Sequence, residues 1–188
     1  MSEASDAAIV ARVLAGNRQE FGTLVARYQD RILAYLRHMG LNEADAWDVA
    51  QDTFVRGFRH LRRCKEPDRF AGWLFRIAVN VSRTAGKRNA RRAVESLDAY
   101  PTPLTSEEPG PHESAEASIT RERVRAALEK LAADQREALV LMYIMGHSVS
   151  EIEELTGASA SAVKMRLKRG REALRDQLAS VFTEVYER

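Results

Sequence analysis

An all-α protein of two small helical domains joined by an extended linker is the fold class that three observations predict. Apolar residues recur at helical spacing on both sides of the chain's middle, no run alternates at the period of a strand, and the middle is rich in proline and acid. At 188 residues the chain can bury one ordinary core or two small ones, and the break in composition favours two. Pro101, Pro103, Pro109, Gly110 and Pro111 crowd into that break, with only Pro67 outside it. Such a segment cannot bury enough apolar surface to fold alone. The domains are therefore drawn at residues 1–92 and 117–188, with the linker at 93–116.

The elements follow from their start signals. A short helix spans about Asp6 to Ala15. Asn17 followed by Glu20 is a capping signature for a helix to about His38, and Asn42 followed by Asp45 serves one to about Arg63. Pro67 and Asp68 open a third long helix, where the missing proline N–H is not needed. Past the linker, a helix from about Ala117 to Leu131 precedes one starting at Asp134, with Glu137 at the capping-box position. Ser148 and Glu151 start a short helix ending near Thr156 and Gly157, and Ser159 caps a long one to about Val181. A short helix, a glycine turn and a long basic helix make a helix-turn-helix layout.

The net charge of +2 says little about partners, whereas its distribution says much. Arg76, Arg83, Lys87, Arg88, Arg91 and Arg92 form a run without acids, residues 93–120 carry only acids, and Lys164, Arg166, Lys168, Arg169, Arg171 and Arg175 restore positive charge. Two cationic patches flank an anionic tether. The single Cys64 excludes an internal disulfide and a thiolate cluster, and suits a reducing cytoplasm. No apolar run approaches the roughly 20 residues that span a bilayer, and the first residues lack a signal-peptide layout, so a soluble cytoplasmic protein without membrane insertion is expected. No histidine falls beside Asp45, Asp48 and Asp52, no glycine-rich phosphate loop occurs, and the histidines are scattered. No catalytic residue, metal or cofactor is expected.

Three faces are candidate sites. On the third long helix Phe70, Leu74, Ile77 and Val81 form a core stripe, while Arg76, Asn80, Arg83 and Lys87 line up opposite with Trp73 on the border. An aromatic plane beside cations and an amide suits single-stranded nucleic acid; the alternative is a solvated basic face with Trp73 half-buried. On the preceding helix Ala50, Phe54, Gly57, Phe58 and Leu61 share a buried stripe, and Asp45, Asp48 and Asp52, with Gln51 at the edge, make an acidic face that needs a basic partner. Acids near a helix's positive N-terminal end offer a competing explanation of Asp45 and Asp48. In the last helix Ser161, Lys164, Met165, Lys168 and Arg169 point away from the stripe of Val163, Leu167, Leu174, Leu178 and Val181. A recognition helix presents its first turns to major-groove base edges; the alternative is a basic amphipathic helix for a protein partner.

The run Phe70-Ala71-Gly72-Trp73-Leu74-Phe75-Arg76-Ile77-Ala78-Val79-Asn80 resembles the promoter-melting segment of extracytoplasmic-function sigma factors. Residues 45–54 resemble that family's helix that docks on the β′ clamp of RNA polymerase, and Leu14, Gly16, Phe21, Leu24, Arg27 and Tyr28 are also similar. The stretch from Ser148 to Arg171, with Val163-Lys164-Met165-Arg166-Leu167-Lys168-Arg169-Gly170-Arg171 after the turn, resembles its −35-binding module, departing from the usual pattern at Glu153, at Ser161-Ala162 and at Met165. The resemblance implies a sigma region 2 bundle and a sigma region 4 helix-turn-helix. It implies core RNA polymerase (β′ clamp and β flap), promoter DNA and an anti-sigma factor as partners. It further implies a base-capturing pocket in the connector from Arg62 to Arg69, with Lys65 as its candidate residue, and a linker that threads the RNA exit channel.

Energetics agree with a subunit rather than a lone melter. Opening about a dozen base pairs costs on the order of 15 kcal/mol at roughly 1.4 kcal/mol per step, and each stacked or flipped base returns about 1–3 kcal/mol. A conventional helix-turn-helix regulator, which would bind duplex DNA without polymerase, is the rival reading.

Overall fold

The computed structural model describes residues 4–95 and 123–186, with side chains to Arg88 in the first segment and to Ala179 in the second. The linker at 93–116 lies outside the described residues except at 93–95, which continue a helix. The described residues form eight α-helices and no strand: α1 (Asp6–Leu14), α2 (Phe21–His38), α3 (Glu43–Arg59), α4 (Phe70–Glu95), α5 (123–129), α6 (Ala133–Leu139), α7 (Val149–Thr156) and α8 (Ala160–Tyr186). The all-α, two-module class is what the periodicity predicts.

Three start signals act as read. Asn42 Oδ1 accepts from the Asp45 N–H at 2.8 Å to start α3. Both halves of the Ser148–Glu151 capping box form at α7, and Ser159 Oγ accepts from the Ala162 N–H at the head of α8. Gly157, at φ 70°, closes α7 in the left-handed conformation that glycine takes without strain. Other signals act differently. Asn17 leads a 3₁₀ turn, Arg18–Glu20, and its amide bonds the Glu20 side chain, so α2 begins only at Phe21. The helix expected to reach Arg63 stops at Arg59, and 3₁₀ turns at Leu61–Arg63 and Pro67–Arg69 bridge to α4. In α6 no side chain caps the start, and Glu137 is no capping residue. A π-helical turn, Val140–Ile144, extends α6.

Ile9, Leu24, Ile32, Leu36, Phe54, Phe70 and Leu74 fill the first module's core. Gly57 lets α3 and α4 approach: a Cβ there would lie 3.1 Å from Leu74 Cδ1. Asp6 accepts from Arg27 and Tyr28, tying α1 to α2. Leu139, Leu141, Ile152, Val163 and Leu167 fill the second. The two cores are continuous, because α4 packs on α3 along one side and on α7 along another.

Candidate nucleic-acid interface

Helix α4 buries more than the expected stripe. Phe70, Leu74 and Val81 are buried and Ile77 half-buried, but Phe75, Ala78, Val79, Ser82 and Ala85 are buried too. The Phe75 ring meets Tyr35 of its own module edge-on at 6.1 Å, and His147 of the second module at 5.5 Å. One face of α4 thus builds the first module and another seats the second.

Of the stripe read as facing nucleic acid, Arg76, Asn80 and Lys87 are exposed, and Trp73 is half-buried against Phe70 at 5.8 Å. Arg83 departs from that stripe. All three of its guanidinium nitrogens bond the second module: Nε and Nη2 donate to the two carboxylate oxygens of Glu137 at 2.9 and 2.5 Å, and Nη1 donates to the Thr156 carbonyl at 3.0 Å. Glu137 is only 3 % exposed. Its hydrogen bonds hold Arg83 protonated above the guanidinium's ordinary range. Lys65 is exposed in the connector, on a cleft of about 520 Å³ that Arg63, Arg69, Trp73, Arg76 and His147 also line.

On α8, Ser161, Lys164, Met165, Lys168 and Arg169 are all exposed, as the helix-turn-helix reading requires. Arg166, counted among the basic run, turns inward to Asp134 at 3.2 Å, and Arg171 donates to the Tyr143 hydroxyl. The face of the helix is therefore built by selection: cations that point at the module find partners, and those that point out stay available.

On α3, Asp48 and Gln51 are exposed and Asp45 and Asp52 half-buried. Asp52 pairs locally with Arg56 at 2.9 Å. Sequence reasoning missed two apolar residues on this face, Trp47 at 47 % and Val55 at 40 % exposure. Val55 sits one turn beyond Gln51, and Trp47 one turn before it. The Trp47 indole donates to Glu43, which Arg37 grips through two nitrogens. The signal was available as an aromatic and a β-branched residue at i−4 and i+4 from a polar one. Phe58, expected in the buried stripe, is 37 % exposed and packs its edge on Phe21.

Among the described residues no three His, Cys, Asp or Glu side chains gather as metal ligands, and no helix is long and apolar enough to cross a membrane.

A helical bundle coupled to a helix-turn-helix module with an open basic face defines the class, a DNA-binding transcription protein. Residues 24–92 match the family model for sigma-70 region 2, and residues 121–174 that for sigma-70 region 4. The RNA polymerase sigma factor CnrH of Cupriavidus metallidurans is 36 % identical over 179 residues, covering 92 % of this chain and 93 % of that one. The ECF RNA polymerase sigma factor SigE of Mycolicibacterium smegmatis is 34 % identical over 86 % of this chain and 62 % of its own, longer sequence. Among solved structures, CnrH in complex with the cytosolic domain of CnrY matches over 93 % of this chain and 97 % of that one, at 33 % identity and a TM-score of 0.68. The chain belongs to the extracytoplasmic-function sigma factors of the sigma-70 family. It is an alternative sigma factor, binding core RNA polymerase and directing promoter recognition and transcription initiation, and the stand-alone regulator reading gives way.

Proposed function

We propose that α4 holds the unpaired −10 strand through Arg76, Asn80, Arg83 and Lys87, with Trp73 stacking at the edge of the melted bases and Lys65 at the pocket for a flipped base. The observation that carries this reading is the exposed line of Arg76, Asn80 and Lys87 beside a half-buried tryptophan, on a stretch with no acid from Arg76 to Arg88. Phosphates attract the cations, an amide can pair with a base edge, and an aromatic plane accepts any base. On α8, Lys164, Lys168 and Arg169 hold −35 phosphates or read base edges, with Ser161 and Met165 beside them.

The acidic face of α3, Asp45, Asp48, Gln51 and Asp52, docks on the β′ clamp, and Trp47 and Val55 supply apolar area there. Region 4 engages the β flap. A cytoplasmic site of action follows from these partners. CnrH is seen in complex with the cytosolic domain of CnrY, which supports a protein partner of comparable kind, an anti-sigma factor, for this chain. Residues 1–92 act as region 2, 93–116 as the linker and 117–188 as region 4.

Run-off transcription with purified core enzyme tests the assignment. Trp73→Ala and Asn80→Ala should each impair open-complex formation, read by permanganate reactivity of unpaired thymines, while leaving core binding unchanged. Loss of core binding by either variant would mean that this face docks on polymerase instead.

A further inference from the structure

The contacts between the modules are not those of two bodies meeting by chance. Arg83 spends its whole guanidinium on region 4, closing the C-terminal end of α7 through the Thr156 carbonyl. Arg136 returns the arrangement: its Nη1 donates to the Met39 carbonyl, just past the end of α2, at 2.9 Å. Arg69, on the rim of the cleft that holds Lys65, pairs with Glu154 of α7 at 2.8 Å. Region 4 thus brings two carboxylates and a carbonyl to cations of region 2.

We propose that region 4 is a built-in inhibitor of region 2, in which the Glu137 carboxylate and the Thr156 carbonyl occupy Arg83 in place of promoter phosphate and hold the chain closed. The inference rests on the reading of Arg83 as a −10 contact. An Arg fork matches carboxylate and phosphate by the same two-pronged geometry, so the two occupants exclude one another. A buried ion pair suits such a device, because the desolvation cost nearly cancels the attraction and the closed state is specific without being irreversible. Glu137 lies inside the closed form at 3 % exposure while Arg83 keeps about a third of its side chain in solvent. Opening returns both charges to water. The 27 residues from 96 to 122 span at most about 90 Å when extended, enough for region 4 to leave region 2 without breaking the chain.

Energy transfer on the full chain tests the device, with dyes on Gln19→Cys and Glu172→Cys in a Cys64→Ala background. Both label positions are exposed, one on each module. The chain alone should show one high-transfer population, and Glu137→Gln should lower the closed-to-open ratio at least tenfold and shorten the lag before promoter-specific transcription with core enzyme. Arg83→Gln leaves region 4 unaltered and should open the chain equally, yet fail to form open complexes. The charge exchange Arg83→Glu with Glu137→Arg should restore high transfer without restoring DNA opening. If Glu137→Gln and Arg83→Gln both keep the parent transfer, the inhibitor is overturned, whatever Arg83→Gln does to open complexes. If Arg83→Gln opens the chain and still melts promoters normally, the −10 role of Arg83 falls and the closed state is not inhibitory through it.

Discussion

Helices α4 and α8 are both long and basic, yet they use their circumference differently. α8 has two faces: Val163 and Leu167 go into its own module, and Lys164, Lys168 and Arg169 go to solvent. α4 has three: Phe70 and Leu74 serve region 2, Phe75 and Arg83 serve region 4, and Arg76, Asn80 and Lys87 face outward. A helix with two faces can be altered for DNA binding without touching the fold. A helix with three cannot, because closure of the chain and grip on DNA compete for adjacent residues. On the proposed assignments, the −35 face stands ready in the closed chain while the −10 face is partly taken.

The largest effect expected from this contrast is on stability. Phe70 and Phe75 are both fully buried, the first against Tyr28 and Trp73, the second between Tyr35, His147 and the Arg31 guanidinium 5.4 Å from its ring centre. Replacing either by alanine should cost about 3–5 kcal/mol in urea unfolding. Only Phe75→Ala should also lower energy transfer between the modules. Equal loss of transfer in Phe70→Ala would show that α4's faces are not separate.

A smaller effect is expected on α8. Lys168→Ala should weaken binding of a −35 duplex by the holoenzyme to a similar extent across sequences, and should reduce the slope of log affinity against log salt by about one. Transfer should be unaltered, since Lys168 is exposed on α8. A change in the preferred −35 sequence would instead place Lys168 on a base edge.

These contrasts mark where the sequence could be read and where it could not. Asn42, Ser148 and Ser159 act within three residues of themselves, so their caps were legible. So were the exposed line on α4 and the first turns of α8, because one apolar stripe fixes what lies opposite it. The second buried face of α4 was not, since Phe75, Val79 and Ser82 fall outside a single stripe and the His147 ring that Phe75 meets lies across the linker. Glu137 shows the limit most plainly. Three residues after Asp134 it satisfies a capping pattern, but its partner is 54 positions away and no local spacing announces that. Trp47 and Val55 were not legible as a pair, because one lies among the acids of α3 and the other beyond the last of them.

The smallest effect concerns pH, and it tests whether the seat on α4 is a closed, dry contact. His147 leads into α7 with Nε2 buried and without a hydrogen-bond partner. It meets Phe75 of α4, the Arg31 charge of α2 and Glu151 of its own module. Burial pushes its imidazolium down from the ordinary value near 6.5, Arg31 adds to the fall, and Glu151 opposes both. The closed form therefore binds fewer protons than the open one just below pH 6.5, and closure is lost progressively as pH falls through that window. Glu151 stays ionised there, because its hydrogen bonds to Ser148 hold its carboxyl below the usual range. The closed-to-open ratio should drop several-fold between pH 7.5 and 5.5, and His147→Gln should flatten that dependence. A parent chain whose energy transfer is the same at both pH values would mean that His147 titrates in water, and that region 4 seats on α4 more loosely than the buried ring contact implies.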